Sequence, residues 1–148
     1  MAKVFIETSV FIRFFTQDDK QKSEDTLRLF KLIENGKLRP YTSNIVILEI
    51  QFVLIKVYKF NKNKVLKAIE NLLNLRNLTL IEKTNTKIAL GIYKKLNIKY
   101  ADCLIATQVQ KDVKIVTYDE EFSKIIGIST TQPTDFLNHD KQNQKTQE

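Results

Sequence analysis

In 148 residues this chain has one cysteine, one histidine, three glycines, two prolines and no tryptophan. Each scarcity closes off a class of protein. A lone cysteine, Cys103, excludes a disulfide framework and suits a reducing compartment. With a single histidine, His139 near the end and expected on the surface, a zinc site is poorly supplied with ligands. So little glycine and proline argues against a β-sandwich with frequent turns and for long elements with short connections. Apolar runs are short as well: the longest, residues 45–55, is interrupted by Glu49 and Gln51, so no segment reads as a membrane span. The first six residues show no cleavable secretory pattern, and a cytoplasmic location without membrane attachment is expected.

What is present suits a single globular domain, because 43% hydrophobic and 28% charged positions in a chain of this length can bury a sizeable core. The formal charge of +7 favours polyanionic partners, and a lysine-rich proteome would explain it equally well. Residues 1–140 are expected to form the domain. Residues 141–148 contain no apolar side chain and are expected to be a disordered tail.

Lys3–Ile6 reads as a short strand closing on Glu7-Thr8-Ser9, after which Val10, Phe11, Phe14 and Phe15 recur at helical spacing. A helix follows with Ser23 as its expected N-cap and Asn35-Gly36 as its stop. Residues 40–43 suggest a second strand. Asn44 is placed to cap a helix over residues 45–58, apolar nearly all round and so expected to be buried. A helix over 61–75, a strand over 78–81, a helix over 84–96 and another opening at Tyr100-Ala101-Asp102 follow. Residues 113–117 read as a buried strand, Asp119 heads a short helix through Phe122 and Ile126, and 129–131 reads as an edge strand. Strands alternating with helices predict a three-layer α/β/α fold around a mainly parallel five-stranded sheet.

Four acids stand out within this pattern. Glu49 interrupts an apolar helix, where a carboxylate needs a cation or hydrogen bonds, so it is either a metal ligand or half of a structural salt bridge. Asp102, near a helix start, lies toward the inward stripe shared with Ile105 and Val109, a placement an ordinary helix-start aspartate also enjoys. Asp119 follows a strand directly and can be a helix cap, yet in doubly wound sheets ligands bind beyond the carboxyl ends of strands. Glu7 stands at the end of the first strand. Converging carboxylates repel one another unless a cation sits among them, and the natural occupant is Mg2+ or Mn2+. Carboxylate-bound ions of this kind commonly serve phosphodiester hydrolysis.

The segments Val-Phe-Ile-Glu-Thr-Ser-Val-Phe-Ile-Arg (4–13), Thr-Ser-Asn-Ile-Val-Ile-Leu-Glu (42–49), Tyr-Ala-Asp-Cys-Leu-Ile-Ala (100–106) and Ile-Val-Thr-Tyr-Asp-Glu-Glu-Phe (115–122) together resemble the four signature stretches of PIN-domain nucleases. The subgroup they are most similar to is the VapC-type toxin of toxin–antitoxin pairs. The resemblance spans residues 3–131 and implies strand order 3-2-1-4-5, a Mg2+- or Mn2+-dependent endoribonuclease, a cognate antitoxin and a homodimer. By position it implies the catalytic acids Glu7, Glu49, Asp102 and Asp119, with Glu7, Asp102 and Asp119 as metal ligands and Glu49 completing or orienting the site. Thr8, Ser9 and Thr117 match supporting hydroxyl positions. Arg13 is the favoured RNA contact, with Lys56, Lys59, Lys62, Lys64 and Lys67 as further candidates. The family's first acid is ordinarily aspartate, and Glu7 departs from it by one methylene. Two other readings follow: a catalytically impaired module that binds RNA or antitoxin, and a DNA-directed flap-type nuclease.

Overall fold

In a computed structural model the described residues are 2–137; His139 and the expected tail lie outside them. The elements run β1 (Ala2–Ile6), α1 (Thr8–Thr16), α2 (Lys20–Glu34), β2 (Leu38–Ser43), α3 (Asn44–Lys56), α4 (Lys62–Leu73), β3 (Thr79–Ile81), α5 (Thr86–Lys95), α6 (Tyr100–Ala106), β4 (Lys114–Val116), a 3-10 helix (Glu120–Lys124) and β5 (Thr130–Thr131). All the strand pairs are parallel, and their order is β3-β2-β1-β4-β5, as expected. β1 is central, and Val4, Phe5 and Ile6 in succession are buried, the continuous apolar pattern of a strand covered on both faces. Because parallel strands share one direction, Glu7 and Thr117, which follow β1 and β4, come to the same edge of the sheet. The backbone N–H of Glu7 donates to Val116 O at 3.1 Å and extends that pairing.

Several local expectations are corrected. α2 begins at Lys20, capped by Asp19, whose carboxylate accepts from Lys22 N at 3.1 Å; Ser23 lies inside the helix. The cap of α3 is Ser43, whose Oγ accepts from Val46 N at 3.2 Å. That leaves the Asn44 amide free to donate to Glu82 O and accept from Gln108. The segment headed by Asp119 is 3-10 and ends at Lys124, and Ile126 beyond it is fully exposed. Gly36 does stop α2, in the left-handed region at φ 76°, where glycine carries no Cβ penalty.

The largest correction concerns α3. Val46, Ile50 and Leu54 are buried, whereas Leu48 and Phe52 are 64% and 61% exposed. Its all-round apolar character therefore marks a buried stripe plus a naked one. α5 is alike in exposing Ile88, Leu90 and Tyr93. Among the described residues no helix is long and apolar enough to cross a membrane.

Candidate active site

Glu7 is the N-cap of α1, with extended backbone (φ −91°, ψ 162°) and a side chain turned back onto its own helix. Its Oε1 accepts from Ser9 N at 3.1 Å, Ser9 Oγ at 2.6 Å and Thr117 Oγ1 at 2.6 Å. All three donors converge on this one oxygen and fix the side chain at the start of α1. The two hydroxyls are themselves held, because Tyr118 N donates to Ser9 Oγ and Asp119 N to Thr117 Oγ1, each at 2.9 Å. β1 and β4 are thus stitched together at their carboxyl ends through the Glu7 carboxylate. Asp119, next in this loop, caps the 3-10 helix by accepting from Glu121 N at 2.9 Å, so its capping role is real.

The other two acids come from helices. Glu49 on α3 accepts from Thr8 Oγ1 at 2.8 Å, and no lysine or arginine forms an ion pair with it among the described residues. The structural salt bridge is thereby set aside. Burial raises its pKa, the Thr8 bond and Lys99 oppose the rise, and the charges of Glu7 and Asp119 add to it. Asp102 in the first turn of α6 is 1% exposed, and neither carboxylate oxygen has a hydrogen-bond partner. Burial pushes its carboxyl up to about 7; Lys99 opposes this, and Asp119, Glu49 and Glu7 reinforce it in that order. The four acids therefore act on one another electrostatically although they come from four separate stretches of sequence.

A buried carboxylate with both oxygens unpaired is costly as it stands. It is the observation that fits a cation, and an all-oxygen donor set fits a hard divalent one. The hydrogen bonds of Glu7, Glu49 and Asp119 fall on one oxygen each, which leaves the second oxygen of each uncommitted. Among the described residues no three Asp, Glu, His or Cys side chains close into a ready coordination shell.

Thr8, Ser9 and Thr117 all hydrogen-bond to the acids. Arg13 does not: its Nη1 binds Asp18 Oδ1 at 3.0 Å, and Asp18 also accepts from Thr16 and Tyr58. Lys64 lies over the Phe60 ring, 3.9 Å from its centroid. The cation that bears on Asp102 and Glu49 is Lys99, the N-cap residue of α6, which sequence reasoning missed. Its signal was present in the spacing: three residues before Asp102, one helical turn away.

The PIN domain family model matches residues 4–127. The chain belongs to the PIN domain family. Among solved structures, VapBC-1 from nontypeable Haemophilus influenzae is similar at 19% identity and TM-score 0.64, covering 89% of this chain and 98% of that one. VapBC2 from Rickettsia felis, bound to a DNA fragment from their promoter, is similar at 17% identity and TM-score 0.62, covering 88% and 98%. VapBC-5 from Mycobacterium tuberculosis, a member of the VapBC family of toxin-antitoxin systems, is similar at 14% identity and TM-score 0.54, covering 89% and 99%. At these identities the likeness is one of fold, and it extends over the whole PIN domain. No curated protein sequence matches the chain.

Proposed function

We propose that this PIN domain is a divalent-metal-dependent endoribonuclease, the VapC-type toxin of a toxin–antitoxin pair. The observation that carries the reading is the buried, unpaired carboxylate of Asp102 facing the charges of Glu49, Glu7 and Asp119 at the carboxyl edge of a parallel sheet. Asp102, Glu7 and Asp119 would hold Mg2+ or Mn2+, with Glu49 completing the set. When bound, the ion supplies charge neutralisation at the phosphate and a more acidic water. The chain's own residues do the positioning. Ser9 and Thr117 together fix one oxygen of the Glu7 carboxylate, Thr8 fixes Glu49, and the Thr117–Asp119 turn sets the fourth acid. Lys99 places a positive charge beside the acids where an RNA phosphate would approach.

The partners belong to the same reading. The naked stripe of α3 (Leu48, Phe52) and that of α5 (Ile88, Tyr93) each offer apolar surface suited to a homodimer contact. A separate apolar cavity of about 310 Å3, lined by Phe11, Phe14, Phe15 and Phe30 with Leu27 and Leu72, suits an apolar segment of an antitoxin. The deciding experiment is cleavage of single-stranded RNA with Mn2+ by the natural chain and by Asp102→Asn. Loss of cleavage in the variant is expected. Equal cleavage by both would refute the site, and cleavage of structured DNA but not RNA would favour a flap-type nuclease.

A further inference from the structure

On the other side of Asp119 from the acid cluster, the end of β4, the 3-10 helix and the stretch from β5 to Asp135 wall an open cavity of about 370 Å3. That volume is in the range of small-molecule sites. The cavity shares Thr117 and Asp119 with the acid cluster, so it adjoins the cluster at those two residues. Its wall combines hydroxyls and carboxylates and contains no lysine or arginine. Such a wall repels a phosphate and suits a neutral group rich in hydrogen-bond donors.

Hydrogen bonds sort the wall into builders and readers. Asp135 Oδ2 accepts from Thr131 Oγ1 at 3.0 Å and Gln132 N at 2.9 Å, Ser123 Oγ donates to Glu120 O at 2.6 Å, and Thr117 is bound to Glu7. These groups hold the shape. The side chains of Glu120, Thr130 and Gln132 are exposed and take no part in those bonds.

We propose that this cavity receives the nucleobase adjoining the cleaved phosphate and prefers bases with an exocyclic amino group, cytosine, adenine or guanine, over uracil. The proposal rests on the ribonuclease reading. An acidic side chain is suited to accept from the cytosine amino group, and single-stranded RNA offers the Watson–Crick edge freely. Where cytosine carries its amino group uracil carries a carbonyl oxygen, which a carboxylate disfavours. Glu120 and Gln132 are the specificity-determining side chains, with Thr130 able to serve either as donor or acceptor.

The test is Mn2+-dependent digestion of a random-sequence single-stranded RNA pool, with the cut ends sequenced, for the natural chain, Glu120→Ala and Gln132→Ala. One position flanking the cut should disfavour uridine about tenfold, within the discrimination of one side chain–base pair. Each variant should bring that ratio toward one, read within the same pool of cut ends. An active enzyme whose base profile is unchanged in both variants, or that cuts uridine-flanked sites as well as the rest, overturns the proposal and leaves the ribonuclease reading standing. A natural chain that cuts no more RNA than Asp102→Asn removes both. If the variants fail to fold, amide NMR shifts of the natural chain decide: CMP should move Thr130 and Thr131 where UMP does not, and equal or absent shifts overturn the proposal.

Discussion

Glu7 and Asp119 stand where parallel strands end, Glu49 and Asp102 stand on helices, and the two pairs meet opposite surroundings. The strand-end acids are met by donors: two hydroxyls and a backbone N–H on Glu7, a backbone N–H on Asp119. Of the helix-borne acids, Glu49 has the single Thr8 hydroxyl and Asp102 has nothing. Glu7 and Asp119 each cap the helix that follows their strand and so meet its free first-turn N–H groups, whereas Glu49 and Asp102 lie inside helices and accept from no backbone N–H. A parallel sheet edge can thus hold carboxylates in place, while a carboxylate carried on a packed helix is left in need of a cation.

That contrast is broken most severely at Asp102. Asp102→Asn should lower Mn2+-dependent RNA cleavage by about a hundredfold or more, measured as kcat/KM, and should raise the Tm of the metal-free protein by a few degrees. A metal-free Tm below that of the natural chain would mean the Asp102 charge is already compensated. The same residue sets a pH dependence. Its proton is held more tightly in the folded chain, at about 7 against an ordinary 3.8. The stability it contributes is therefore complete below 3.8 and lost as the pH rises through about 7. Urea melts of metal-free protein from pH 4 to 8 should show this decline, and in Asp102→Asn it should flatten. Added Mn2+ should stabilise more as the pH rises, because the ligand must be ionised.

The strand-end half should respond differently. Thr117→Val removes one of the two hydroxyl donors on Glu7 and should destabilise the fold by about 1–3 kcal/mol, read as a lower urea midpoint at unchanged m. The smallest effect is expected from Glu7→Asp, which restores the family's usual length: cleavage should rise, by less than about tenfold. A fall would show that the longer side chain is matched to Ser9 and Thr117.

The parallel sheet was legible because buried strands such as Val4–Ile6 and Ile115–Val116 are continuous apolar runs in any context, whereas the order of its strands came with the family resemblance. Glu49 was legible as a charge inside an apolar run. Other features depended on residues far apart in sequence. Thr8 meets Glu49 across 41 positions, and Asp18, which takes the charge of Arg13, is itself placed by Tyr58, 40 positions on. The exposed stripe of α3 was invisible in principle, since a helix buried by its own chain and one awaiting a second surface carry the same apolar letters. Ser43 against Asn44, and Asp19 against Ser23, were choices between adjacent good caps, which tertiary contacts decided.

The hydrogen bond from Thr117 to Glu7 joins residues 110 positions apart. During synthesis, Glu7 emerges early and waits for its partner until more than a hundred further residues have been made. Topology of this kind also slows folding, because long loops must close before the contacts that reward them can form. A ribosome-bound chain halted before β4 carries three of the four acids and no site. For a protein we propose to be toxic to its own cell, this delay makes the unfinished molecule harmless and gives an inhibitor time to be at hand when the last strands dock.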